Sequence, residues 1–286
     1  MIINANIPAL RVHHSVSRVS RRSNASMERL STGLRINSAA DDPSGLAKAN
    51  KMRREITGLG SVSQNALDAT SIIQTGDSAL EEVHSMLHRM RELTVQAATG
   101  TMSETDIEHI QAEIDQLNQE IESVGRNTTF NNRPIFRGTF EDDNIDDHIH
   151  GRIMARVGTN KDNTLYMTFP RISTQDLGTE GSRIGDISLL DDEDGMLNAF
   201  AALDEAIHQI SSARANLGAY ENRLTYTSSV LNATSINMEA ALSRMIDVDM
   251  ALEMSLLTQH GVLSQAGLSI LAQANQRPQQ ILQFLN

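Results

Sequence analysis

The sequence predicts a mainly α fold: long antiparallel helical hairpins of coiled-coil type, N- and C-terminal helices paired with each other, and a small β-hairpin or irregular insert. Three observations lead there. Apolar residues keep an alternating three-and-four phase over most of the chain. Aromatics make up 3% of the 286 residues, with no Trp, no Cys and five Pro, which suits long helices better than a core built on aromatic packing. Only residues 127–190 depart from the helical phase. Apolar content of 40% with 21% charge reads as folded, with room for one large or two modest domains.

Taken in order, the first stripe is Val12, Val16, Val19 and Leu30, weak but in phase to about Leu34. NSAADDPSG then breaks it, with Asp42 as N-cap and Pro43 at the first position of a short helix to Ile56. Residues 66–97 carry Ala69, Ile73, Leu80, Leu87 and Met90 on one face, and 107–124 repeat the pattern with Ile107, Ile110, Ile114, Leu117, Ile121 and Val124. Ser103 and Asp106 resemble a capping box for the second of these, and Gly125 is placed to end it, so the pair should form an antiparallel hairpin around GTMSE. EDDNIDDH reads as an acidic loop, and RIMARVGTN and NTLYMTF as short strands. From Met196 one phase runs through Leu203, Ile210, Leu217, Leu224, Leu231, Leu252, Leu256, Leu263 and Ile270, which predicts a continuous or nearly continuous helix. Gly218, Gly261 and Gly267 are candidate bends, and Pro278 is placed to kink or end it.

The chain closes on ILQFLN, where termini usually carry small polar residues. Neither terminal stripe has a partner nearby in sequence, so the economical solution packs the two ends together. A pair of helices still leaves much of each surface uncovered. Val12, Val16, Val19, Leu30, Leu252, Leu256, Leu263, Ile270, Ile281 and Leu285 are therefore read as packing and polymerisation residues, ordered fully only against other subunits.

Charge and motifs narrow the function. A net charge of −12 argues against nucleic acid, whose phosphates need a basic footprint. The first 60 residues are nonetheless basic and can meet acidic neighbours, including copies of the same chain. Without cysteine there is no disulfide or thiolate site, and no apolar run reaches the length of a membrane span or the form of a cleaved signal. His84 and His88 sit four apart, a spacing that suits metal ligation, but HExxH is absent and they read as solvated surface histidines, like His13, His14, His148 and His150. DDEDG fails the calcium-loop pattern, since Leu190 would hold the first ligand position. Asn127 and Asn232 begin weak glycosylation sequons. No phosphate loop, nucleophile elbow or dinucleotide fingerprint is present, so neither catalysis, cofactor nor metal is expected.

Two stretches are more specific. ERLSTGLRINSAADDPSGLA at 28–47 and SRMIDVDMALEMSLLTQHGVLSQAGLSILAQANQRPQQILQFL at 243–285 resemble the N- and C-terminal signatures of bacterial flagellins, with NTTFNNRPIF and RANLGAYENRLTYT matching inside them. The short insert is similar to that of spirochaete core flagellins. The resemblance implies a structural subunit of a helical filament for motility, with 1–42 and 246–286 as the filament-core coiled coil, 43–140 and 191–245 as a helical shell, and 141–190 as the insert. It implies a homopolymer, hook-associated and cap proteins, an export chaperone and export apparatus, and, in a periplasmic filament, sheath proteins; otherwise the filament would be extracellular. A hook-filament junction protein is the alternative. HRMRELTVQ resembles the stretch read by the innate receptor TLR-five, which carries over Arg89, Leu93 and Gln96, with Glu113 on the facing helix. Ile246 stands where the family's SRIRDAD stretch has a basic residue, and Val248 where it has Ala.

Overall fold

The computed structural model describes residues 6–99, 102–136, 152–159, 163–179, 181–189 and 193–284, without the side chains of 193–194 and 278–284. Five helices dominate it: α1 (Ile7–Thr32), α2 (Pro43–Ala97), α3 (Glu104–Asn127), α4 (Glu193–Ile246) and α5 (Met250–Phe284). Three antiparallel strand pairs lie between α3 and α4: β1 (Thr129–Phe130) with β2 (Arg133–Pro134), β3 (Arg152–Arg156) with β4 (Thr164–Thr168), and β5 (Gly178–Thr179) with β6 (Ser182–Arg183). The mainly α hairpin fold with a small β insert is the one the sequence predicts.

Helix ends follow local chemistry. The Asn6 side chain accepts from the Ala9 N–H at 3.2 Å, and Gly33 ends α1 in the left-handed region at φ 71° while donating to the Arg29 carbonyl. Ser103 and Asp106 form the reciprocal capping box of α3. Four details differ from what the sequence suggests. Helix α2 does not stop near Ile56 but runs through Gly58 and Gly60, because Leu59 and Val62 pack against Leu231 of α4 and outweigh a glycine cost of about 1 kcal/mol each. Gly125 lies inside α3, and Pro278 lies inside α5. The long C-terminal helix is broken by Asp247, Val248 and Asp249.

The chain divides into two compact units, 58–234 and 1–57 with 235–286, and the boundaries fall within α2 and α4. In the first, one core joins Ile73, Leu80 and Leu87 of α2 to Ile114 and Ile121 of α3 and to Ile210 and Leu217 of α4. The insert belongs to that core. Register pairs Ile153 with Met167 and Ala155 with Leu165 on its inner face, leaving Met154 and Tyr166 outside. Two glycines let it dock: a Cβ on Gly76 would lie 2.7 Å from the Phe169 ring, and one on Gly125 would run into the Ile172 carbonyl oxygen. The acidic stretch 141–148 is outside the described residues.

All three tyrosines, Tyr166, Tyr220 and Tyr226, lie in this unit, so tyrosine fluorescence reports its unfolding alone. Gly125→Ala forces backbone to move and is expected to destabilise the unit by about 1–3 kcal/mol despite the better helix former. Gly218→Ala, with nothing within 4 Å, should stabilise it by about 1 kcal/mol. Denaturant melts followed by tyrosine emission distinguish the two.

Candidate assembly surface

The second unit is built around an antiparallel pair of terminal helices. Asn6 Nδ2 donates to the Ala274 carbonyl at 2.9 Å, Val16 meets Gly267, and Arg29 lies 3.8 Å from Glu253, so α1 and α5 run alongside each other over nearly the whole of α1. Glycine at 267 permits the approach: a Cβ there would lie 2.6 Å from Val16 Cγ2. Val12, Val16, Val19 and Leu30 are all half-buried on the α1 side.

On α5 the partly or fully buried positions are Glu253, Leu257, His260, Ser264, Gly267 and Leu271, continuing to Ala274. This seam is one residue, about 100° of helix, away from the stripe of Leu252, Leu263 and Ile270 that the sequence phase marks. Only Leu256 lies half-buried between the two. The three stripe residues are 60%, 48% and 52% exposed, and Val262 and Leu268 are exposed beside them. The difference has a simple cause: a phase counted through the non-helical residues 247–249 loses its meaning on the far side, because the joint resets the rotation of the helix. Ile281 lies in α5 with its side chain outside the described residues, as is all of Leu285.

The seam itself is polar in places. Glu253 is 5% exposed, and neither its Oε1 nor His260 Nδ1 has a hydrogen-bond partner among the described residues. A buried carboxylate at 3.8 Å from its cation retains much of its desolvation cost, so α1 and α5 hold together less firmly than an apolar seam of equal length would.

Both breaks in this unit are pinned to each other. The Val248 N–H donates to the Gly33 carbonyl at 3.0 Å, the Arg35 N–H donates to the Ile246 carbonyl at 2.6 Å, and Leu34 bridges Asp247. Ile246 is buried with Ile36 and Ala49 and acts as an apolar plug. Asp249 caps α5, accepting from the Ala251 and Leu252 N–H groups at 3.0 and 3.1 Å. Asp42 caps α2 through Gly45 and Ser44, and Asp41 accepts from Asn37 and Ser38. Hydrogen bonds from backbone N–H groups, Ser38 for Asp41 and Gly45 for Asp42, hold both carboxyls below the usual aspartate range.

The remaining group lies on the other unit. Arg89 donates to Glu113 Oε1 from Nε at 3.0 Å and from Nη2 at 2.8 Å, across the α2–α3 hairpin. Gln96 is exposed but Leu93 is 2% exposed, a core residue of that hairpin, so the helical spacing of the three does not place them on one open face. In a polar groove beside α3, Glu122 accepts from the Thr174 N–H and Asn118 donates to the Ile184 carbonyl, while Asn118 Oδ1 has no hydrogen-bond partner among the described residues. Among the described residues, no helix is long and apolar enough to cross a membrane.

Paired terminal helices cover one stripe and leave another open, an arrangement that suits a subunit of an assembly. The family model for the bacterial flagellin N-terminal helical region matches residues 3–141, and that for the C-terminal helical region matches 200–285. Flagellin of Bacillus subtilis is 40% identical, and a flagellar filament 33 kDa core protein of Treponema phagedenis 39%, each aligned over 100% of both chains. A solved structure described as a putative flagellar hook-associated protein from Vibrio parahaemolyticus covers 72% of this chain and 100% of its own with TM-score 0.61 at 16% identity, a likeness of fold alone. The chain belongs to the bacterial flagellin family. It is a structural filament subunit, not an enzyme, and flagellin relatives aligned over the full length of both chains favour that role over one at the hook junction.

Because both folded-state values are depressed, Asp41 and Asp42 stabilise the 37–45 turn fully above the unfolded value of about 3.9, and that contribution is lost as pH falls through the folded values. Carboxyl carbon NMR titrations should give midpoints below about 3.9 for both, with the turn's amide protection unchanged from neutral pH until that range is entered.

Proposed function

We propose that polymerisation is driven by the α5 stripe that α1 leaves open, sheltered in the filament by neighbouring copies of the chain. The observation that carries this reading is the exposure of Leu252, Leu263 and Ile270 on a helix that already has an intramolecular partner. Apolar burial is worth roughly 25 cal/mol per Å² before ordering costs, so side chains of this size repeated in every subunit supply the main drive. Unlike faces meeting in a contact that does not close produce a growing helix rather than a ring. The arginines exposed on α1, Arg11, Arg18, Arg21 and Arg22, favour acidic neighbours in a chain of net charge −12. In this reading the terminal pair forms the filament core, the remaining helices its shell, and the insert the outermost layer.

The same stripe must be shielded before assembly. Capture of the apolar C-terminal helix in the groove of an export chaperone, passage through the flagellar export apparatus, and insertion beneath a cap onto hook-associated proteins fit that need. Truncation after Asn275 is expected to abolish filament formation and weaken chaperone binding; electron microscopy showing normal filaments from the truncated chain would refute the role of the tail. Leu263→Asp and Ile270→Asp together should prevent filaments while leaving the tyrosine-reported unit folded.

The filament is proposed to lie in the periplasm beneath sheath proteins, supported by relatives named as filament core proteins in Treponema. Recognition by TLR-five is proposed through Arg89, Gln96 and Glu113, with buried Leu93 supporting the hairpin behind them. In a receptor reporter assay, purified monomer should signal and Arg89→Ala should lower the signal, whereas intact cells should be silent until permeabilised. A strong signal from intact cells would overturn the periplasmic placement.

A further inference from the structure

The pair His84 and His88, which the sequence suggests to be no more than solvated surface, has a geometry of its own. Their Nε2 atoms lie 3.1 Å apart across one turn of α2, with ring centroids 4.5 Å apart and planes near perpendicular. Two imidazole nitrogens about 2.0–2.1 Å from one metal ion lie about 2.9 Å apart at a right angle and about 3.3 Å apart at the tetrahedral angle. The observed separation falls between those limits. Both histidines belong to the same rigid helix, so little ordering is required to bring them together.

We propose that His84 and His88 form a two-nitrogen chelating site for a borderline first-row divalent cation of the zinc, nickel or copper kind, the remaining positions being filled by water. Imidazole nitrogen selects these ions over calcium or magnesium, which take oxygen ligands. Burial, His88 and Arg214 each disfavour a positive charge at His84, and Glu81 favours one. Arg214 is the side-chain cation that bears on His84 besides its partner histidine, and it is held by Asp77, whose Oδ1 accepts from Nε at 2.9 Å, and by Glu81 at 3.6 Å, so two carboxylates stand against one guanidinium.

One feature limits the affinity. His84 Nδ1 is buried with no hydrogen-bond partner among the described residues, an arrangement that favours placing the proton on Nε2, where it can be donated to His88. Metal binding at Nε2 moves that proton to Nδ1 and leaves a buried donor unsatisfied, where a strong site would have a carboxylate or carbonyl behind the ring. Together with the lack of a third protein ligand among the described residues, this makes the site weaker than a structural zinc centre.

The test is a zinc titration of the full-length monomer followed by histidine ring NMR, beside the exposed-residue variant His88→Gln and with calcium as the control ion. The expected result is one zinc equivalent that moves the His84 and His88 ring signals together, with affinity for that equivalent falling about tenfold or more in His88→Gln at an unchanged melting curve. Zinc that leaves both ring signals in place, binds the variant equally well, or is matched by calcium overturns the proposal. Binding confined to His13, His14, His148 or His150 would show as shifts in those rings instead, and would overturn it equally.

Discussion

Helix α5 carries more apolar surface than a single partner helix can cover, and the rest of the molecule follows from that excess. Against α1 it turns a seam of small and polar residues, Ser264, Gly267 and Ala274 among them, with Leu257 and Leu271 between. The stronger stripe of Leu252, Leu263 and Ile270 is left in solvent. A monomer optimised for its own stability would do the reverse, since each large side chain removed from water is worth about 1.5–3 kcal/mol. In the proposed filament, reserving that surface weakens the lone chain and makes the gain available when copies associate, which is the thermodynamic condition for a polymer whose subunits remain separable before assembly.

The two units solve different problems with the same helical grammar. In the unit of residues 58–234, Leu203, Ile210, Leu217 and Leu224 are fully buried, and the insert closes the core with Leu165, Met167 and Phe169. Cross-helix pairs such as Arg89 with Glu113 and Arg91 with Asp204 lie at its surface, where each adds little stability but fixes which helix faces which. In the terminal unit the buried residues are few, and Glu253 and His260 leave unsatisfied atoms inside the seam. The first unit closes its core within itself; in the proposed filament the second is finished by its neighbours.

Much of this was legible in the sequence. The pairing of the two ends follows from long apolar stripes that lack local partners, and the capping box at Ser103, the break at NSAADDPSG and the β3–β4 strands follow from patterns confined to a few residues. What escaped were features that depend on distant partners. Gly58 and Gly60 stay helical because Leu231 lies across from Leu59 and Val62, a contact between residues far apart along the chain. Gly125 marks where the Ile172 carbonyl comes down on α3 rather than where α3 stops. Leu93 shares a helical face with Arg89 and Gln96 by spacing, yet burial on a hairpin depends on where α3 and α4 sit, which spacing alone does not specify. The α5 seam lies one residue from the apolar phase because the joint at 247–249 resets the rotation, and its seven-residue repeat of Glu253, His260, Gly267 and Ala274, polar or small at every position, carries no apolar signal of its own.

That one-residue offset makes the joint at 247–249 the element that decides which surface is offered for assembly. Val248 donates to the Gly33 carbonyl, Ile246 just before the joint accepts from the Arg35 N–H, and Leu34 bridges Asp247, so the start of α5 is fixed relative to the end of α1 by contacts independent of the seam. The Asp249 cap fixes the first turn, and from there the rotation of every later side chain follows at about 100° per residue. A joint one residue longer would bring the apolar stripe toward α1 and turn Gly267 and His260 outward. The lone chain would then be better packed, and the filament would lose the surface proposed to build it.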